Sequence, residues 1–296
     1  MKDTFSNMHP FINFIFFALT IGFTMFIMNP VCLAISFLCA LITTLYLNGK
    51  KAVRLSLVYL LPMILLIVLI NPVFNHEGMT ILTYFPWDNP LTLESIVYGI
   101  ASAFLLSSTV LWFSSFNAVI TSDKVVFLFG RIMPSLSLVI SMALRFVPRF
   151  SAQMKLVRNA QHTIGRDIDE GTLFQRIRNA VKILSIMITW SLENAIETAD
   201  SMKSRGHGLK GRTSYSLYKF DKRDAIMLCA ILFSGTVLMI LLLTNAIKFR
   251  YYPSIKGDLF TVQSIIFYIL YTFLMLIPLS VNVGEGIKWK HMQSKI

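Results

Sequence analysis

Apolar residues in this chain gather into long runs instead of alternating with polar ones. Six runs contain no Lys, Arg, Asp or Glu: Phe11 to Met28, Val31 to Leu47, Leu55 to Ile70, Ser95 to Phe116, Ala225 to Ile247 and Val262 to Val281. Each approaches the roughly 20 residues that cross a hydrocarbon core about 30 Å thick, which predicts six transmembrane helices. The third is the shortest and contains Pro62. A proline there is compatible with a span, because neighbouring helices can satisfy the freed carbonyl. Four runs precede, and two follow, a stretch of different character between Ala118 and Arg223.

Within that stretch the pattern predicts two long helices. The first extends from Arg131 to Gln161, with Pro134 suited to its first turn and Pro148 in its interior, where a kink is expected. Before Pro148 it is almost wholly apolar, with one charge at Arg145. Beyond it, Arg149, Lys155 and Arg158 intersperse with Phe150, Met154, Leu156 and Val157, as in an interfacial helix. Arg145 and Arg149 lie one turn apart on one face.

Gly165 and the polar run Arg166 to Gly171 end the pattern, and Thr172 can cap a second helix reaching about Lys203. Leu173, Phe174, Ile177, Ala180, Val181, Leu184, Met187, Ile188, Ala195 and Ala199 recur at three and four, predicting a continuous packed stripe on a helix about 45 Å long. Its charges oppose the helix dipole: Arg176, Arg178 and Lys182 at the start, Glu193, Glu197 and Asp200 toward the end. Two readings fit: phospholipid contact at the basic end, or an acidic end that orients Lys203 and Arg205 toward a partner. The expected architecture is an all-α polytopic membrane protein: a four-span region at 1–117, an insert of long amphipathic helices at 118–223, and a two-span region at 224–296.

Composition supports the membrane assignment. Hydrophobic residues make up 55% of the chain, charged residues 14%, and mean hydropathy is +0.65, whereas soluble domains carry about 25% charged residues. The formal charge of +12 is distributed by topology. If all six runs cross, both termini and the insert share a side holding 24 of the 27 lysines and arginines, 17 of them in the insert. Only Lys248, Arg250 and Lys256 fall on the other side. The positive-inside rule then makes this a multi-pass plasma-membrane protein with both termini and the insert in the cytoplasm. Nucleic acid is not an expected partner, since no recognition motif accompanies the charge. No cleavable signal peptide is expected either, because the first apolar run is too long and lacks a small-residue cleavage site.

Candidate chemistry is sparse. Gly206 to Thr213 nearly matches a phosphate-binding loop, but Arg212 stands where that loop needs lysine, and a helix precedes the segment where a strand should. His9, His76, His162, His207 and His291 are scattered, so no metal site is expected. Cys32, Cys39 and Cys229 lie in apolar runs as small packing residues. None of the six runs carries an internal charge of the kind a proton relay uses. Tyr215, Tyr218 and Phe220, interleaved with Lys219, Lys222 and Arg223, suit a headgroup-level anchor. Neither a catalytic site nor a cofactor is expected.

Ser201-Met202-Lys203-Ser204-Arg205-Gly206-His207-Gly208, followed by Arg212-Thr213-Ser214-Tyr215, is similar to the second Ala-Arg-Gly coupling motif of the transmembrane (T) components of energy-coupling factor transporters, the EcfT/CbiQ-like family. Ala143-Leu144-Arg145-Phe146-Val147-Pro148 resembles the start of that family's first long coupling helix, and the resemblance covers nearly the whole chain. It implies a non-catalytic scaffold in an ATP-driven importer of vitamins or metal ions. Two soluble ATPases would dock beneath the insert, each receiving one coupling-helix end, while a substrate-binding membrane (S) component packs against the spans within membrane lipid. By this resemblance Ser204, Arg205 and Gly206 form one ATPase contact, and His162, Thr163, Ile164, Gly165 and Arg166 the other, with Arg145, Pro148 and Arg149 supporting the helices.

The first motif departs from the family pattern: Ile164 holds the arginine position. Either Arg166 or His162 substitutes, or the contact is apolar. Other readings are a conventional ABC permease, which would transport without an S component, and a membrane enzyme acting on lipid headgroups, which would need a polar constellation.

Overall fold

Helices account for nearly all the regular structure, since a chain in hydrocarbon must satisfy its backbone hydrogen bonds internally. The computed structural model describes residues 4–84, 89–166, 168–169, 171–209, 218–244, 246–257 and 259–293. In chain order the helices are α1 (Pro10–Phe26), α2 (Pro30–Asn48), α3 (Lys50–Leu55), α4 (Leu61–Phe74), α5 (Leu93–Val119), α6 (Ser122–Ile132), α7 (Pro134–Thr163), α8 (Leu173–Ser204), α9 (Lys222–Leu243) and α10 (Val262–Gln293). Two antiparallel hairpins complete the set, β1 (Ile81–Tyr84) with β2 (Pro90–Thr92) and β3 (Phe249–Arg250) with β4 (Lys256–Gly257). The expected all-α polytopic fold is the one observed.

Six described helices are long and apolar enough to cross a membrane: Pro30–Asn48, Lys50–Phe74, Leu93–Val119, Ser135–Thr163, Lys222–Leu243 and Val262–Gln293. The second of these joins α3 to α4 through a π-helical turn at Ser56–Leu60. This set differs from the expected one in two members. At 17 residues, α1 is shorter than the others, about 25 Å at 1.5 Å per residue. α7 qualifies, with the lowest mean hydropathy of the six at 1.2, because its apolar half before Pro148 outweighs the basic half after it.

The chain divides into two units, Met1–Lys124 with Tyr218–Ile296, and Val125–Leu217. In the first unit, Pro10 and Pro30 occupy the opening turns of α1 and α2, and His9 Nδ1 and Asn29 Oδ1 accept from the N–H groups of Phe11 and Val31 at 3.3 and 3.0 Å. Phe5, Phe16, Phe17 and Trp112 build the centre through edge-to-face contacts with centroids 5.2 to 6.4 Å apart. Small hydroxyl side chains bridge the helices around it. Thr24 meets Ser36 at 2.9 Å, Trp112 Nε1 donates to Ser36 Oγ at 3.1 Å, and Thr44 meets Ser115 at 2.9 Å. Large apolar side chains such as Leu69 and Phe233 point outward, 66% and 69% exposed, as lipid contact requires.

One end of this unit brings Phe5 and the second half of α10 together with the segments that flank the insert. Phe5 N–H donates to Asn282 Oδ1 at 3.0 Å, the rings of His9 and Phe220 meet at 5.3 Å, and Arg223 pairs with Glu285 at 2.6 Å. Buried Lys124 ties this end together, donating to the carbonyls of Val119, at 2.8 Å, and Ser6. Asn13, with its amide oriented to donate to the Phe5 carbonyl, accepts from Lys124 Nζ at 3.1 Å. At the opposite end, Tyr251 donates to the Met28 carbonyl at 2.8 Å and Tyr268 to Asn29 Oδ1 at 3.2 Å. Burial, helped by neighbouring Tyr98, pushes the Tyr251 phenol up to about 12.

The second unit pairs α7 with α8. The expected helix from Arg131 is instead broken at Met133, whose backbone leaves the helical region immediately before Pro134, and α7 then continues through Pro148. Thr172 and Gln175 form a reciprocal capping box at the start of α8. The predicted apolar stripe of α8 is only partly packed. Ile183, Met187 and Asn194 are buried, whereas Phe174, Ile177, Val181 and Leu184 are 81%, 62%, 58% and 54% exposed. An apolar periodicity marks a face that avoids water; it does not say whether the chain's own helices cover that face.

Candidate functional site

Both long helices of the insert end in the same backbone motif. At the end of α7, Gly165 N–H donates to the His162 carbonyl and Arg166 N–H to the Gln161 carbonyl, both at 2.9 Å. At the end of α8, Gly206 N–H donates to Lys203 and His207 N–H to Met202, again at 2.9 Å. The two glycines have φ of +72° and +75°, the left-handed conformation this closure requires and other residues resist. Ile164 and Arg205 are therefore equivalent C-cap residues, with φ and ψ of −90° and 4°, and −82° and 9°. Even the preceding hydroxyls behave alike: Thr163 donates to the Asn159 carbonyl and Ser204 to the Ser201 carbonyl, at 3.0 and 2.9 Å.

Surroundings separate the two caps. Arg205 lines a cleft of about 340 Å³ whose walls include Arg145, Phe146 and Arg149 of α7 and Asn194, Glu197 and Ser201 of α8. The structure thus brings Arg145, Arg149 and Arg205 together, three cations against one carboxylate. Arg149 also lies over the Trp190 ring, 5.9 Å from its centroid, and Phe150 contacts the same ring edge-on at 5.4 Å. Exposed Arg205 has no carboxylate partner among the described residues.

The cap of α7 lies beside the first turn of α8. Asp169 in the intervening turn accepts from Arg158 of α7 at 2.5 Å and lies 3.9 Å from Arg176 of α8, which also donates to the Ile168 carbonyl at 2.7 Å. His162, Thr163, Ile164, Gly165 and Arg166 are all exposed there, Ile164 at 65%. Pro148 lies in the interior of α7 between Arg145 and Arg149. The segment Arg212-Thr213-Ser214-Tyr215, and the phosphate-loop-like stretch from Lys210 onward, lie outside the described residues.

Sequence reading had Glu197 in the acidic end beside Arg205 but missed Asn194 and Trp190 as neighbours of the arginines. Asn194, Glu197 and Ser201 stand three and four apart on the way to Arg205, so a search of one helix face backward from the motif would have found that wall. Trp190 follows by one further turn. Among the described residues no group of three or more His, Cys, Asp or Glu stands together as metal ligands would. What this surface offers is recognition: guanidinium forks that can bridge carboxylate and carbonyl oxygens of another protein.

A multi-pass helical protein carrying a helix pair with matched, exposed caps is the class this architecture defines. Residues 2–215 match the cobalt transport protein family CbiQ, and the chain belongs to that family. It is 33% identical over 138 residues to an energy-coupling factor transporter transmembrane protein EcfT of Streptococcus thermophilus, 46% of this chain and 52% of that protein. EcfT of Lactococcus lactis subsp. cremoris is 36% identical over 107 residues, 36% and 40% of the two chains, and EcfT of Lactobacillus helveticus 40% identical over 94 residues, 31% and 34%. The aligned regions span about half or less of these relatives.

Proposed function

We propose that this chain is the transmembrane scaffold of an energy-coupling factor importer, joining ATP hydrolysis by two cytoplasmic ATPases to a substrate-binding membrane S component for vitamin or metal-ion uptake. The two similarly capped ends of α7 and α8, one of them presenting Arg205 without a carboxylate partner among the described residues, are the observation that carries this reading. Family membership and the EcfT relatives support it. In this role the chain is not itself an enzyme. Both termini and the insert at 118–223 face the cytoplasm, flanked by membrane regions at 1–117 and 224–296. That orientation agrees with the basic insert and with the shared end that brings Phe5 and the second half of α10 to the segments flanking the insert.

Mechanically, nucleotide-driven closure of the ATPase pair would move the two helix ends, and the pairing of α7 on α8 would convert that movement into a shift of the apolar faces presented to the S component. Ser204, Arg205 and Gly206 contact one ATPase; His162, Thr163, Ile164, Gly165 and Arg166 contact the other. Arg145, Pro148 and Arg149 shape the support beneath Arg205.

Co-purification of the detergent-solubilised protein, wild type beside Arg205→Glu, tests this. Two ATPase subunits and a small hydrophobic membrane protein should accompany the wild type, and the ATPases should be lost from the variant while membrane insertion is unchanged. Wild type recovered alone, or a variant with full ATPase content and normal uptake, would overturn the assignment.

A further inference from the structure

A second charged concavity lies at the end of the membrane unit away from the insert attachments. It encloses about 480 Å³ and is lined by Phe26, Ile27, Met28 and Asn29, by Leu242 and Ile247, and by Lys248, Phe249, Arg250 and Lys256, a volume within the roughly 300–1,000 Å³ typical of ligand sites. Among the described residues, three cations line it and no carboxylate does. None of the three has an ion-pair partner among the described residues.

The carboxyl ends of α1 and α9 border this space, and each helix end carries about half a negative charge. The amino end of α2, capped by Asn29, borders it too and carries about half a positive charge, so the three helix ends together offset less than one of the three cations. Asn29 forms part of the wall. It is 2% exposed, and its Oδ1 is held by Val31 N–H and the Tyr268 hydroxyl at 3.0 and 3.2 Å, so turning the amide over would lose the bond from Val31. Its Nδ2 is buried and has no acceptor among the described residues. The remaining wall is apolar, and Phe26 is 84% exposed.

We propose that this concavity binds a phosphate group, with Lys248, Arg250 and Lys256 contacting its oxygens. Arginine provides a planar fork for two oxygens, and the lysines add compact charge. A phosphodiester joined to acyl chains fits best, because the apolar wall continues from the cations toward exposed Phe26. The ligand class is therefore the anionic phospholipid headgroup, with free phosphate as the other source of the same chemistry. This site is independent of the ATPase contacts and of the orientation proposed above.

Native mass spectrometry of the full chain in detergent provides the test, with short-chain phosphatidylglycerol titrated into wild type and into the Lys248→Gln/Arg250→Gln/Lys256→Gln variant. Wild type should retain the lipid at about tenfold lower concentration, and prefer it to phosphatidylcholine of the same chain length. A Lys248→Arg/Lys256→Arg variant should retain it as wild type does, which separates charge from folding. Inorganic phosphate added in excess identifies the source: persistence of the adduct assigns the lipid, and displacement assigns the soluble anion. Equal retention by wild type and the triple glutamine variant, or equal affinity for the two lipids, would show that the cations serve only the helix ends and would overturn the site.

Discussion

The ends of α7 and α8 share a backbone and differ in chemistry. Each closes with a left-handed glycine and the same pair of hydrogen bonds, yet the residue presented at the cap is Ile164 in one and Arg205 in the other. A shared backbone with opposed side chains indicates that geometry is the common requirement at both ends. Under the proposed function, the ATPase that receives α8 offers oxygen acceptors to Arg205, and the one that receives α7 meets an apolar Ile164 at the same cap position with His162 and Arg166 beside it, so the two ATPase surfaces are not interchangeable.

Making the ends alike is the most disruptive way to probe that asymmetry. Arg205→Ile should weaken ATPase association roughly thirtyfold or more, since truncating one partner of a buried charge pair costs about 2–5 kcal/mol. Titration of purified ATPase against the solubilised protein measures this. Affinity within threefold of wild type would mean that the α8 cap is read by its backbone alone. The reverse change, Ile164→Arg, should weaken association less, by about 1–3 kcal/mol, through a guanidinium left unpaired against apolar surface. Tighter binding by that variant would show that the α7 end also meets acceptors, removing the asymmetry.

Much of this comparison is visible in sequence, and the reason is local. Glycine after an amphipathic run predicts a helix end from conformational freedom alone, so Gly165 and Gly206 were legible, as was the Thr172 cap. The six apolar runs gave the all-α polytopic fold for the same reason: length and composition decide whether a segment can cross. Pairing was not legible. The buried face of α8 passes through Asn194, a polar residue, while Phe174 and Ile177 remain open. Periodicity does not separate a face packed within the chain from one left to lipid or a partner. Lys124 escaped notice because its role depends on Ser6, 118 positions away. The break at Met133 arises where Pro134 restricts its predecessor to extended backbone, which overrides the helical pattern on either side.

Smaller effects should follow from the caps themselves. Gly165→Ala and Gly206→Ala both force a Cβ into left-handed backbone, at about 1 kcal/mol each, enough to fray the last turn by roughly fivefold. Hydrogen exchange of the amides in the closing turns should accelerate equally in the two variants. At Gly165 the new methyl meets open space, and at Gly206 its nearest neighbour is the flexible end of Leu209 at 3.0 Å, so neither adds a rigid clash. Unequal acceleration would indicate that one cap is held by more than its glycine. ATPase affinity should decline in both variants by less than in Arg205→Ile, because the recognised side chains remain.

Asp169 offers the weakest and most selective change. It links Arg158 to Arg176 only at the α7 cap, and its side chain is 65% exposed, with the arginines at 45% and 43%. Exposed pairs of this kind contribute about 0–1 kcal/mol, and salt screens them. Asp169→Asn should therefore leave the thermal midpoint almost unchanged and lower ATPase affinity by about threefold or less at low ionic strength. That difference should disappear near 0.5 M salt, whereas Arg205→Ile should remain weakened there. If Asp169→Asn instead lowers affinity as severely as Arg205→Ile, the α7 end works through an electrostatic clamp on its turn, and apolar contact by Ile164 is not what its partner reads.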